Sequence, residues 1–402
     1  MDKYFELDVK TVIAYVDEKL NFFDKDAKVT SVEIGDGNLN LVFRLADENT
    51  EKSIIVKQAL PYLRAAGESW PLDIRRGKIE SEILKIEYEL TDGLVPDVLF
   101  YDDDDMFCMM MEDLSDYVIM RTGLLNVEQY PNFADQITDF LVKTLLLTSD
   151  VVVEHKKKKG MVKAFINPEL CEITEQLVYM EPFGTYERNN IEPLLVDFAK
   201  EYLENDNELR CEVAKLKFDF MNHAQALLHG DLHTGSIFVN KEQTKVIDPE
   251  FAFFGPMAYD IGALMANLLM NYLSTVYMVK DEGKKKVHLE WLKQTTENTL
   301  DMFKEKFLEL WPSVVTDDMG KVPGFAEWYL NDVIVNTAGV AGCEMSRRSV
   351  GFAQVIDLNN IADEKQRAEA KKKNVMMAKE LIMNRSNIVT GKDYVDILVK
   401  YI

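Results

Sequence analysis

Two hydrophobic periods divide this chain. Up to about Ser115 the apolar residues come in short β-branched or alternating runs, VTSVEI, NLVFRL and SIIVKQ, separated by GDGNLN and by the polar turn ADENTEK. That is the signature of an antiparallel meander. One helical stretch follows it, RRGKIESEILKIEYEL, with Ile79, Ile83, Ile86 and Leu90 as the expected apolar face. LVPDVLFYDDDDMFCMMMEDL then restarts the strand pattern around Asp102–Asp105, which reads as a solvated turn because consecutive carboxylates do not converge. Beyond Ser115 the period lengthens: NFADQITDFLVKTLLLTSD places positions 137, 140, 141 and 145 on one helical face, and helical patterns run on to Ile402. The expectation is an α+β chain, with a sheet-rich lobe over 1–114 and a larger, mostly helical lobe over 115–402.

Charge narrows the partners. The net charge of -23 and a pI near 4.7 oppose a nucleic-acid binder, because an acidic field repels phosphate backbones at long range. Any phosphate-bearing ligand is therefore small and locally compensated. Four widely spaced cysteines, Cys108, Cys171, Cys211 and Cys343, form no metal or redox motif, and no secretory leader is recognisable, which fits a reducing cytoplasm. The uncharged run Ile261–Val279 has the length of a membrane span, but Asn267, Asn271, Ser274 and Thr275 argue for a buried core helix. The lysine runs 156–159, 284–286 and 371–373 read as exposed loops or helix faces.

The chemistry concentrates in a few places. Gly35 and Gly37, in a hairpin between strands, let a backbone approach a phosphate closely. Lys57 ends the third apolar run and could hold that phosphate, with either Glu80 or Glu82 of the following helix as its partner. The stretch HGDLHTGSIFVNKEQTKVIDPE reads as strand end, polar loop, strand, hairpin turn and strand, and is expected to bring Asp231, Asp248 and Glu250 together. Carboxylates at that density call for a counter-ion, and Mg2+ with oxygen ligands suits them. Asp248 and Glu250, on either side of Pro249, are the candidate metal ligands, and Asp231 is free to accept a proton from an attacking hydroxyl. Asp260 reads as structural, and His229 and His233 as residues that organise the loop. The adjacent Arg347 and Arg348 point about 100° apart on a helix, so one can reach a cleft while the other pairs with carboxylates.

The order of glycine hairpin, strand lysine, helix glutamate, MEDL, HGDLH and metal strand resembles the small-molecule kinases of the protein-kinase-like superfamily. Within it, HGDLHTGS with DPEFAFFGPMAYDIG is similar to the 5-methylthioribose kinases, as are GESWPLDIRRGKIESE, CEITEQLVYMEPF and GVAGCEMSRRSVGFAQVID. Relatives of the aminoglycoside and choline type more usually carry an asparagine where Ser236 stands, and a different metal motif from Asp248-Pro249-Glu250. The resemblance implies a two-lobed kinase fold, ATP and Mg2+ as cofactors, a small sugar as substrate and a homodimer. It further implies nucleotide contacts at Asn40, Lys57, Glu112, Asp113 and Leu114, and substrate contact at Asp231 and at Arg347 or Arg348. Two other readings stay open: a kinase for another small alcohol, and a nucleotide-binding module without turnover.

Overall fold

A computed structural model describes residues 4–34, 40–63 and 67–402; Gly35 and Gly37 lie outside the described residues. The chain divides into two compact units, Met1–Asp116 with Lys245–Ala252, and Tyr117–Thr244 with Phe253–Ile402. The class is α+β, with the five-stranded sheet in the first unit and most helices in the second.

In the first unit the strands are β1 (Val29–Glu33), β2 (Asn40–Asp47), β3 (Ser53–Ala59), β4 (Tyr62–Leu63), β5 (Gly67–Pro71), β6 (Val98–Asp102) and β7 (Cys108–Met111). Five form one antiparallel sheet in the order β1-β2-β3-β7-β6. Period-two alternation sends Phe43, Leu45, Ile54, Val56, Cys108 and Met110 into a core with Val12 and Val16 of helix α1 (Thr11–Leu20). Lys57, paired in register with Val42 and Met109, therefore points to the other face. Helix α2 (Arg76–Thr91) departs from expectation: the residues it buries are Arg76, Glu80, Ser81, Ile83, Leu84, Glu87 and Thr91, and of the predicted stripe only Ile83 is buried. Its inward face carries ionic groups because it serves the site described below. The aspartate turn departs too. Asp102 is buried, accepts from Tyr15 Oη at 2.8 Å and meets Lys19 Nζ at 3.0 Å, and these partners hold its carboxyl at about 2 although burial alone would raise it.

The second unit contains α3 (Met120–Leu125), α4 (Phe133–Leu147), α5 (Asn207–Asn222), α6 (Ala258–Met278), α7 (Glu282–Val314), α8 (Phe325–Val350), α9 (Ile356–Asn359) and α10 (Glu364–Met383). Ile137, Phe140, Leu141 and Leu145 of α4 are all buried, as their spacing predicts. Helix α6 is long and apolar enough for a bilayer, yet every residue from Ala258 to Thr275 is enclosed by protein. Its contact with α8 is close: a Cβ on Gly262 would lie 2.7 Å from Val340 Cβ and 2.8 Å from Thr337 O, so only glycine fits there. Two lysines expected at the surface are buried. Lys158 donates to Asp150 at 2.8 Å and to Gln225 O at 2.8 Å, and Lys371 pairs with Glu192 and donates to Gln354 at 2.8 Å. Each ammonium finds acceptors that period counting cannot foresee.

Candidate active site

The first unit gathers an ionic cluster. Lys57 Nζ donates to Glu80 Oε1 at 2.7 Å and to Asp248, which decides between the two candidate glutamates. Glu82 instead lies at the surface beside Lys85. Burial pulls the Lys57 ammonium down, but the charges of Asp248, Glu80 and Glu250 outweigh it and leave the group above its usual range. Asn40 Nδ2 donates to Glu250 Oε2 at 3.1 Å, and its Oδ1 accepts from Arg76 Nη2 at 3.1 Å. Arg76 also stands 3.6 Å from Glu250 and donates to Leu60 O at 2.7 Å. Burial and the neighbouring Asp248 push Glu250 up to about 7, against Lys57.

Among the described residues, one carboxylate oxygen from each of Glu80, Asp248 and Glu250 lies within 4.8 Å of the others. Among the described residues, Lys57 and Arg76 pair with these three carboxylates. Three converging carboxylates make an all-oxygen donor set, which suits a hard divalent cation such as Mg2+. Asp248 has φ 68, a left-handed conformation that costs a non-glycine residue about 1–3 kcal/mol and marks positions the surrounding fold over-determines.

Glu112, Asp113 and Leu114 follow β7. Lys245 Nζ donates to both Glu112 carboxylate oxygens, at 2.7 and 2.8 Å, and Arg44 Nε donates to Asp113 at 2.6 Å. Leu114 is buried. Both acidic side chains are thus engaged within the protein.

In the second unit, strand β8 (Val118–Ile119) pairs with β10 (Ile237–Val239), and β9 (Ala226–Leu228) pairs antiparallel with β12 (Phe253–Gly255); β11 (Thr244–Val246) follows β10 in the chain and ends in the first unit. The loop after β9 hangs from Asp260 in the first turn of α6, whose two oxygens accept from His229 N at 2.7 Å and Gly230 N at 2.9 Å. Gly230 has φ 83, which lets the chain turn into Asp231. Asp231 N donates to His229 Nδ1 at 3.2 Å, and Ser236 Oγ donates to Asp231 O at 3.1 Å. Gly235 N also donates to His233 Nδ1 at 3.1 Å, so Asp260, His229 and His233 all bond to the backbone of this loop.

Asp231 Oδ1 faces Arg347 Nη2 at 3.4 Å. Arg347 also pairs with Glu344, and Arg348 donates to Glu344 Oε1 at 2.7 Å and to Ala353 O at 3.0 Å. Of the adjacent arginines, Arg347 pairs with Asp231 and both share Glu344. Burial would raise Glu344, but the two guanidiniums hold it at about 2. Arg121 of α3 lies 3.5 Å from Asp357 and donates to Asn267 Oδ1 at 3.0 Å.

The model of a family described as the phosphotransferase enzyme family matches residues 175–280. The methylthioribose kinase of Geobacillus sp. (strain WCH70) is 42% identical over 375 residues, 93% of this chain and 91% of that one. That of Bacillus cereus (strain ATCC 10987 / NRS 248) is 43% identical over 386 residues, 95% and 94% of the two chains. The chain belongs to the methylthioribose kinase family. It is a phosphotransferase. A solved choline kinase from Cryptosporidium parvum covers 95% of this chain and 98% of its own at a TM-score of 0.50 and 10% identity, which shows the shared protein-kinase-like fold.

Sequence reasoning missed Arg76, Glu344, Arg121 and Asp357. Arg76 stood beside Arg75 at a helix start, where one exposed and one buried arginine look alike. Glu344 carried a usable signal: it stands three and four residues before the twin arginines, the spacing of helical ion pairs. No local pattern tied Arg121 to Asp357, which is 236 residues away (357 − 121).

Proposed function

We propose that the protein transfers the γ-phosphoryl group of ATP to the anomeric hydroxyl of 5-methylthioribose, giving 5-methylthioribose 1-phosphate and ADP, a step of methionine salvage. The observation that carries this reading is the identity of 42% over 93% of the chain with a methylthioribose kinase. The two ionic clusters support the phosphoryl chemistry.

The N-terminal unit takes the nucleotide. Lys57 holds its phosphates, oriented by Glu80 at 2.7 Å. Because Glu112 and Asp113 are engaged with Lys245 and Arg44, the 112–114 hinge offers the base backbone groups and the buried Leu114. Asn40 acts through Glu250, whose oxygen it fixes at 3.1 Å. Asp248 and Glu250, on either side of Pro249, hold Mg2+, which when bound neutralises charge on the transferred phosphate. Gly35 and Gly37 remain assigned to the phosphates.

The C-terminal unit takes the sugar. Asp231 accepts the proton of the 1-hydroxyl as its oxygen bonds to the γ-phosphorus and the bond to the ADP oxygen breaks. An anomeric hydroxyl is more acidic than an ordinary alcohol, so positioning contributes more here than pKa adjustment. Arg347, already 3.4 Å from Asp231, offers its fork to the transferring phosphate or the sugar, while Arg348 braces Glu344. The setting we assign is a cytoplasmic homodimer without membrane or nucleic-acid partners; light scattering of the purified protein tests the dimer.

The test of the activity is ADP release with 5-methylthioribose beside ribose, choline, homoserine and kanamycin. Turnover on methylthioribose alone is expected. Turnover on another acceptor instead would overturn the substrate, and ATP binding without turnover on any acceptor would favour a non-catalytic module.

A further inference from the structure

The loop after Asp231 contains a histidine whose protonation is decided by a backbone group. Gly235 N–H donates to His233 Nδ1 at 3.1 Å. Ser236 Oγ also lies 3.1 Å from Nδ1, but a hydroxyl can rotate to donate or accept, whereas a backbone N–H can only donate; Nδ1 therefore carries no proton, and the neutral ring bears its proton on Nε2. That nitrogen faces Asp231 Oδ2 at 3.6 Å. The approach is longer than a formed hydrogen bond, as is common at catalytic carboxylates before substrate binds. Arg347 faces the other oxygen, so the two oxygens of Asp231 are addressed from two sides.

Arg121 holds this arrangement from behind. Its backbone N–H donates to Thr234 O at 2.9 Å, its Nε to Thr234 Oγ1 at 3.3 Å and its Nη2 to Asn267 Oδ1 at 3.0 Å. Asp357 stands 3.5 Å from Nε and balances the charge. A Cβ on Gly235 would come within 2.9 Å of Arg121 Nη1 and 2.8 Å of His233 Cε1, so glycine is what lets guanidinium and imidazole share one side of the turn. Burial first, then the charges of Arg121, Arg348 and Arg347, keep the imidazole well below its usual range against the pull of Glu344. Asp231 faces it as well.

We propose that Arg121 and His233 are a positioning pair for Asp231, in which Arg121 fixes the 233–236 turn and keeps the imidazole neutral so that its Nε2–H orients Asp231 Oδ2. The inference rests on reading Asp231 as the base. A neutral donor aims the carboxylate while leaving its negative charge; an imidazolium at that place would pair with Asp231 and weaken it as a proton acceptor.

Two measurements test the pair. The first needs no turnover: nitrogen-15 NMR of the full chain, whose five histidines make assignment by single substitutions practical. His233 is expected as the Nε2–H tautomer, neutral well below the ordinary histidine value of about 6.5, and titrating nearer that value in Arg121→Met. The second is kinetic. Arg121→Met and His233→Leu should each lower kcat about 10- to 100-fold, the range of one hydrogen bond to a charged group, with KM for ATP within about twofold. His233→Gln, which retains an N–H donor, should recover most of the loss. The double variant Arg121→Met/His233→Leu should be no worse than either single.

An Nδ1–H tautomer, an ordinary His233 titration in the unaltered protein, or multiplying losses in the double variant would each overturn the pair. If Arg121→Met does not fold, the titration of the unaltered protein and the contrast between His233→Gln and His233→Leu decide it. Undiminished turnover in Asp231→Asn rejects the base itself, whereas an inactive Asp231→Asn with multiplying losses rejects only the pair.

Discussion

The two ionic clusters use the same residue types in different arrangements. In the N-terminal unit, Glu80, Asp248 and Glu250 converge within 4.8 Å of one another around Lys57 and Arg76. In the C-terminal unit, Asp231, Glu344 and Asp357 each meet a guanidinium, Asp231 that of Arg347, Glu344 those of Arg347 and Arg348, and Asp357 that of Arg121. The consequence shows in two glutamates driven apart: Glu250 is pushed up to about 7 by burial and Asp248, while the guanidiniums hold buried Glu344 at about 2. Carboxylates that converge on one point can hold a further cation; carboxylates each met by a guanidinium can keep a base aimed. The difference teaches that burial of acids alone does not mark a metal site. What marks it is several carboxylate oxygens converging on one point.

The strongest way to break this comparison is at the base. Asp231→Asn should lower kcat about 1,000-fold, within the range of general-base catalysis, and leave ATP affinity unchanged; calorimetry with steady-state rates reads both, and equal losses in both would contradict the division. Next in size, Glu250→Ala should weaken Mg2+-dependent ATP binding about 10- to 100-fold. An unchanged Mg2+ dependence removes Glu250 from the metal assignment.

A smaller effect separates the twin arginines. Arg347→Lys should cost about tenfold in kcat because one ammonium cannot reproduce the fork toward Asp231 and phosphate, whereas Arg348→Lys should show mainly as lower thermal stability. The reverse order would exchange their roles.

The smallest effect lies in stability against pH. Glu344 falls from an ordinary 4.5 to about 2, so its contribution is fully present above 4.5 and is lost as pH drops toward 2. Glu250 rises from 4.5 to about 7, so its contribution is present below 4.5 and is lost as pH climbs to 7. Melting curves of Glu344→Gln should flatten the acid side, and those of Glu250→Gln the window from 4.5 to 7, in the metal-free protein. Parallel displacement of both curves would contradict the opposite signs.

Much of this was legible in the sequence wherever a local period or a tight spacing carried it. The strands around Lys57 followed from alternation, helix α4 from its 3.6-residue period, and the enclosure of α6 from the asparagines now bonded to Ala263 O and Asp357. The inward face of α2 was not legible. Counting apolar residues chose Ile79, Ile86 and Leu90, when the buried stripe is ionic at Arg76 and Glu80. Nor were Lys158 and Lys371, whose acceptors come from distant elements. Long-range pairing such as Arg121 with Asp357 leaves no trace in any window of the chain.

The most direct test of the contrast between the two clusters is Mn2+ binding, followed by electron paramagnetic resonance in the presence of a non-hydrolysable ATP analogue. Glu250→Gln is predicted to weaken binding at least about tenfold, and Glu344→Gln to leave it within about twofold. Equal weakening by both, or a loss confined to Glu344→Gln, would contradict the claim that the converging carboxylates are the cation site.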